Sequence, residues 1–241
     1  MKYFITLFLA VLLNISMFGQ TAKYFDAPFG GGGGFVAGWN IPNVDPLNLK
    51  LKELGIPEIS KSGIFTSGGG GFLYIGFVKN LRLGGMGFGG SASSSTKIGA
   101  DNLEAIYSLG GGALTVEYTL PFIKNIGVSV GANIGAGSMS VELYRNDGNF
   151  DWENIFTEIK NGTTTNISRK IENSYWTFSP TLNAEFPVYR FIALRLGVGY
   201  QLTFSGDWEA DNYQSINGVP TDLQSDGFFI QIGIFAGFFS F

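Results

Sequence analysis

Neither cysteine nor histidine occurs among the 241 residues, and the two absences exclude different chemistry. Without cysteine there are no disulfides, no thiolate nucleophile and no soft metal ligand. Without histidine the chain lacks the usual general base near neutral pH and the commonest metal ligand. Charge is scarce as well: 14% of residues are Asp, Glu, Lys or Arg, the net charge is −4, and no basic run offers a nucleic-acid surface. No nucleic-acid partner and no cofactor are expected. Beyond the first twenty residues no apolar run of ~18 or more without a glycine break could cross a membrane as a helix. Glycine, at 36, and phenylalanine, at 23, are abundant instead, a composition suited neither to a disordered chain nor to an ordinary soluble enzyme.

The first twenty residues, MKYFITLFLAVLLNISMFGQ, carry one early Lys, an apolar run from Tyr3 to Leu13, then small or polar residues. They are expected to be a secretory signal peptide cut at 19–22, after Gly19 or Ala22. A membrane-anchoring helix is the alternative, but the apolar core is shorter than the ~20 residues a span needs. Nothing later reads as a linker, so residues 23–241 are expected to form a single domain.

Taken in order, that segment alternates with period two in eight places. The first strand lies within Pro28 to Asn40, with Phe35, Ala37 and Trp39 on one face. A helix is expected next. Asp45 and Pro46 suit an N-cap and first turn, Leu47, Leu51 and Leu54 recur at helical spacing, and Gly55 with Pro57 ends the run. The stretch LNLKLKEL also alternates, which leaves a strand open there. Strand two is expected from Gly63 to Val78, turning at Lys79 and Asn80, and strand three from Leu81 to Thr96; the facing of both is ambiguous. Strand four spans Leu103 to Leu120 after a loop at Lys97 to Asn102. In strand five Val128, Val130, Ala132, Ile134 and Ala136 oppose Ser129, Gly131, Asn133, Gly135 and Gly137. Strand six sets Trp176, Phe178 and Leu182 against Thr177, Ser179 and Thr181; its mid-strand Pro180 predicts a bulge. Strand seven sets Leu194, Leu196 and Val198 against Arg195, Gly197 and Gly199. Long polar loops follow strands five and seven, at Asn146 to Arg169 and Asp207 to Ser225.

The eighth strand, DGFFIQIGIFAGFFSF from Asp226 to Phe241, is hydrophobic and would leave an aggregation-prone edge unless it pairs with the first strand and seals a barrel. With Phe239 and Phe241 at its end, it resembles the terminal strand of Gram-negative outer-membrane β-barrel proteins of the small eight-stranded OmpA/OmpX/OmpW-like type. The resemblance implies an all-β fold, an eight-stranded antiparallel up-and-down transmembrane barrel with a short helix in the first long loop. It implies a bacterial outer-membrane location, termini on the periplasmic side, outer-membrane lipid as surroundings, a monomer, and recognition by the barrel-assembly machinery through the strand ending at Phe241. Connection lengths alternate long and short as such a barrel requires. Aromatics gather near both strand ends, Trp39, Tyr144, Trp176 and Trp208 toward the loops and Tyr118, Phe122, Phe186, Tyr189 and Phe191 toward the turns. A soluble lipocalin-like barrel would reverse inside and outside, but an exterior so poor in charge would precipitate.

Charged residues on inward parity are few: Glu117, Glu142, Glu185 and Arg195, joined by Arg82. Arg195 is expected opposite Thr181 or Asn183 and near Glu185. Of these, Arg82, Glu117, Glu185 and Arg195 are expected to pair as a charge network filling the lumen, a reading favoured over a catalytic carboxylate pair because buried charges must pair. The enzymes of this kind of barrel, as the resemblance has it, use histidine, so no catalytic residues are expected. The GMGFGG stretch from Gly85 to Gly90 matches a dinucleotide-binding pattern only by accident, since no helix follows. No calcium-loop spacing occurs in the acidic last loop, so no metal ligands are assigned. Glycine runs at 30–34, 68–71, 84–90 and 110–112 leave room for the loop helix or an apolar ligand, or else serve tight curvature. The function expected is non-enzymatic, structural or surface-interacting through long external loops whose partner the sequence does not name. The alternative is a narrow channel or carrier for small apolar molecules.

Overall fold

A computed structural model describes residues 30–121, 123, 126–162, 166–189 and 191–239. The signal-peptide reading, Phe122 and Phe241 fall outside these residues. Eight long strands form a closed antiparallel ring: β1 Gly30–Pro42, β2 Ile64–Tyr74, β3 Leu81–Ile98, β4 Asp101–Thr119, β5 Gly127–Asn146, β6 Ile167–Tyr189, β7 Ile192–Ala210 and β9 Gly227–Phe239. The two-residue β8, Gln214–Ser215, only extends the edge of β7. Each strand pairs with its sequence neighbour, and β9 pairs on one side with β7 and on the other with β1, from Gly30↔Phe239 to Pro42↔Gly227. Closure pairs the apolar final strand on both sides, as it requires.

Which way the side chains face follows from burial. On β9, Phe228, Ile230, Ile232, Ile234 and Phe238 are exposed while Phe229, Gln231 and Phe235 are buried. On β6 and β7, Trp176, Phe178, Leu182, Leu196, Val198 and Phe204 are exposed, and Thr177, Ser179, Thr181, Asn183, Gln201 and Thr203 are buried. Large apolar groups outside and polar groups inside are the reverse of a soluble barrel and the arrangement that lipid demands. Trp39, Tyr118, Phe186, Tyr189 and Phe191 stand exposed near the strand ends, as girdles do, whereas the exposed Trp176 lies mid-strand on β6.

The ring corrects several expectations. Strand two stops at Tyr74, and the turn is the longer Ile75–Asn80 segment, ending on Asn80 at φ 65°. The loop expected at Lys97 to Asn102 shrinks to Gly99 and Ala100, because Ile98 pairs with Asp101 and Gly99 takes φ 63°. Pro180 causes no bulge. It pairs with Ala132 on β5, and although Ser179 and Pro180 have no partners on β7, the register is the same before and after them. One missing donor thins the ladder without slipping it; the register shifts fall instead between Asn173 and Tyr175 and between Pro187 and Tyr189. Among the described residues two helices are present where one was expected, α1 Asp45–Glu53 in the first loop and α2 Trp152–Asn161 between β5 and β6. In α1 the cap is Val44, with Asp45 already in the first turn; Leu47 and Leu51 are buried while Leu54 is exposed.

The ambiguous strands resolve with their large residues inward. Phe72 is buried and Leu73 exposed, so Met86 and Phe88, which share the inward parity of Arg82, also face the lumen. The outward face of β3 from Gly85 to Ser95 is therefore only glycine and serine. The glycines divide into two kinds. At inward Gly135 an added Cβ would sit 2.1 Å from the Gly112 carbonyl oxygen across the ladder, a collision with backbone that nothing can relieve. At outward Gly85 the nearest atom would be 3.6 Å away, ordinary contact. Curvature accounts for the first kind and not the second.

Gly135→Val is expected to destabilise the barrel by about 1–3 kcal/mol or stop it closing, whereas Gly85→Val folds. The heat-modifiable shift of the folded barrel in gel electrophoresis, with urea midpoints, checks both. A Gly135→Val barrel as stable as the parent would refute the steric reading.

Candidate functional site: a lumen closed at both ends

At the turn end, four strands each point one charged side chain into the lumen: Arg82 from β3, Glu117 from β4, Glu185 from β6 and Arg195 from β7. All four are buried. Arg82 donates from Nη1 to both Glu185 oxygens at 2.8 Å, and from Nη2 to Glu117 Oε2 at 2.6 Å and Ser129 Oγ at 2.8 Å. Arg195 donates from Nη1 to Glu185 Oε1 at 3.3 Å and from Nη2 to Glu117 Oε1. The four charges alternate in sign around a closed circuit, so the cluster is neutral as a whole and each carboxylate touches both guanidinium groups. Register explains the assembly. Arg82 faces Glu117 across the β3–β4 ladder, and Glu185 faces Arg195 directly across β6–β7 rather than standing diagonal to it. Asn183, one inward position on from Glu185, donates to Glu117 Oε1 at 3.5 Å and accepts from Gln231 at 3.1 Å. Glu142 does not join. It shares the outward parity of Tyr144, whose hydroxyl donates to it at 2.5 Å.

An aromatic layer seals the guanidinium faces. The Arg82 Cζ lies 4.5 Å from the Phe72 ring centroid and 5.6 Å from that of Tyr74, and Arg195 lies 5.7 Å from Phe235. Phe72 packs on Phe235 at 5.8 Å and edge-on to Tyr74 at 6.0 Å. Planar guanidinium groups suit this because one face can stack while the edge forks to carboxylates.

The loop end is closed by different means. Inward residues of β4, β5 and β6, namely Ala105, Tyr107, Leu109, Met139, Val141 and Tyr175, are apolar or aromatic and buried. Onto them pack Val44, Leu47, Leu51, Ile56 and Ile59 of the first loop and Leu223 of the last. Trp208, expected in the outer girdle, is inside this cluster. The polar interior foreseen from strands five to seven thus holds only for the turn-side half. Loop one is held in its packed shape by Asn48, buried itself, which accepts from the Ile59 amide at 2.8 Å and donates to the Ile59 carbonyl at 3.0 Å. The side chain amide mimics a strand partner for a segment that has none.

Between the two seals lie two adjoining cavities of ≈ 30 Å³ each, sharing Val36, Met86, Asn133 and Gln231 in their walls. Small-molecule pockets run to roughly 300–1,000 Å³; these cavities suit a few waters. Gly70, Gly71 and Gly85 line the first of these cavities, while Leu47 and Leu51 of the loop helix pack on the apolar cluster at the loop end. In the last loop, Asp226 accepts from the Thr203 amide at 2.6 Å, and Asp211 accepts from the Lys170 amide at 3.0 Å and Arg169 Nη1 at 2.5 Å. These loop carboxylates are engaged within the protein. Among the described residues no three His, Cys, Asp or Glu side chains converge as metal ligands would.

Arg82→Ala leaves two buried carboxylates sharing one arginine and is expected to cost about 3–5 kcal/mol. Replacing all four residues with apolar residues of similar size is expected to cost far less. Urea unfolding of the barrel distinguishes these outcomes, and equal losses would refute the paired-charge account. The Lys170 amide, then Arg169, hold the exposed Asp211 carboxyl below the usual carboxylate range. Their stabilisation is present above the unfolded carboxylate pKa and is lost as pH falls through the depressed folded value. Hydrogen exchange at the Lys170 amide is expected to quicken over that acidic window and to lose its pH dependence beyond the intrinsic rate in Asp211→Asn.

No family model matches the sequence, and no curated protein matches it. Among solved structures, the chain is similar to the outer membrane protein OprG from Pseudomonas aeruginosa, at 12% identity over 87% of this chain and 95% of that one, with a TM-score of 0.48. A major outer membrane protein from Thermus thermophilus is similar at 11% identity over 87% and 98%, with a TM-score of 0.42. Ail, the attachment invasion locus protein of Yersinia pestis, solved with the heparin analogue sucrose octasulfate, is similar at 9% identity over 87% and 99%, with a TM-score of 0.39. At such identities and scores the likenesses say nothing about what this chain does.

Proposed function

We propose that this protein is a non-enzymatic barrel of the bacterial outer membrane, exported by a signal peptide within residues 1–20, that works through its external loops and not through its lumen. The carrying observation is the double seal: apolar side chains cover the ring outside, while a charge circuit closes one end and an apolar plug the other, and the two cavities described between them measure ≈ 30 Å³ each. A channel needs a continuous wet path, and a carrier needs a pocket of its ligand's size. The loop end faces outward in this reading, since the three long connections and the strand extensions lie there, beside the two-residue Gly99–Ala100 turn, and the remaining turns and both termini are periplasmic. The chain acts as a monomer, inserted by the barrel-assembly machinery through its last strand, β9. Long-term solubility without detergent is incompatible with such an exterior.

Purified protein in planar lipid bilayers is expected to give no steady single-channel current, and liposomes carrying it are expected to retain small solutes and to take up small apolar dyes no faster than empty ones. Reproducible unitary currents, or protein-dependent apolar dye uptake, would overturn the closed-barrel reading in favour of the channel or carrier.

A further inference from the structure

The helix α2 has an N-terminal cap and a C-terminal stop of its own, yet buries nothing. Asp151 accepts from the amides of Glu153 at 3.1 Å and Asn154 at 3.3 Å, and Gly162 ends the helix in the left-handed region at φ 66°. Trp152, Ile155, Phe156 and Ile159 recur at helical spacing along one side and are 73%, 40%, 53% and 71% exposed. Trp152 and Phe156 stack edge-on with centroids 5.1 Å apart, and Phe150 continues the stripe before the cap. Residues of this type in this order are the pattern of a core-facing helix, but no core lies against them.

Height decides what could cover the stripe. The exposed Trp176, paired with Ala136, is the last tryptophan or phenylalanine facing outward on the β5–β6 hairpin. Above it, outward positions are Ser138, Ser140, Glu142 and Tyr144 on β5, and Ser174, Glu172 and Lys170 on β6, a surface for water. The hairpin stays paired for nine more residues, to Arg145↔Ile167. At ~3.4 Å per residue and a tilt of ~40°, the end of the hairpin that carries the helix stands about 20–25 Å above Trp176, clear of the hydrocarbon. A convex ridge is also the wrong shape for a small molecule, which needs a concave site. It fits a groove. The carboxylates of Asp147, Asp151, Glu153 and Glu158 flank the stripe, with Lys160 the one opposing charge between Asp147 and Asn161, so a second copy of the same acidic ridge would repel it.

We propose that the Trp152–Ile159 stripe of α2 is a docking ridge for a protein that presents an apolar cleft rimmed by Lys or Arg. This rests on the external placement of the loops argued above and names the kind of partner they meet. Basic rims would steer encounter and set orientation, while Trp152 and Phe156 supply the buried anchors.

The test replaces Phe156 with the photo-crosslinker p-benzoylphenylalanine and irradiates intact cells carrying the full chain. The expected result is a protein adduct whose crosslinked peptide maps to apolar residues flanked by Lys or Arg. Its yield should fall at least tenfold with Ile159→Ser or with Glu153→Lys and Glu158→Lys together. The same crosslinker at Asn154, on the opposite face, should give no adduct. No adduct from position 156, adducts to lipid or to a second copy of this chain, or equal yields from both faces would each overturn the proposal. The heat-modifiable shift confirms that each variant barrel is folded. Bilayer conductance is measured on the same preparations, so a missing partner with a silent barrel fails this proposal alone, and a conducting barrel fails the closed-lumen reading.

Discussion

Every part of this architecture depends on the pairing of the last strand with the first. A strand in hydrocarbon has no water to satisfy its amides and carbonyls, so an open edge would cost several kcal/mol for each orphaned group. The ladder between β1 and β9 runs the full length of both strands, and β7 takes the other side of β9. Once the ring is shut, side chains have two destinations only, and period-two alternation divides them. The exterior could then become as apolar as Ile230, Ile232, Ile234 and Phe238 make it without inviting other chains to pair.

The interior meets a second constraint, that an eight-stranded ring must be filled or hold little. Its two halves do so with opposite chemistry. At the turn end the filling is polar, and its charges are tolerable because Arg82, Glu117, Glu185 and Arg195 pair with one another in a closed circuit. At the loop end it is a small hydrophobic core of the soluble kind, built from Tyr107, Met139 and Val141 on the wall and Leu47, Leu51 and Ile59 from the loop. That end lies near water, so the loop can be tied down by burial, with Asn48 satisfying the backbone of the buried Ile59. With the lumen so filled, the exposed chemistry lies outside, on the loops.

Much of this was legible in the residues. Alternation in strands five to seven separated lipid face from lumen face, and the four charges of the circuit were picked out by parity alone; the ladders then set them side by side. Elsewhere the pattern misled or fell silent. Glycine-rich strands two and three had large residues on both parities, so only the bent ring could show that Phe72, Met86 and Phe88 turn inward. Trp208 looked like a girdle residue because a tryptophan near a strand end usually is one, but the loop plug gives it an apolar interior to enter. Pro180 looked like a bulge, but losing one donor did not require a change of register. The helix α2 went unread inside a polar loop, although Asp151, the Trp152, Ile155, Phe156 and Ile159 spacing and Gly162 spell a capped amphipathic helix.

What the sequence by itself determined is the class of object: a closed antiparallel ring with a greasy outside, because period-two patterning and an apolar final strand are local properties that permit one arrangement in lipid. What only the tertiary structure decided is whether the middle of that ring is open. That depends on which side chains meet across strands far apart in the chain, Arg82 with Glu185 and Leu51 with Tyr107 and Val141. Such meetings are set by stagger and curvature of the whole cylinder, which no single stretch of residues encodes.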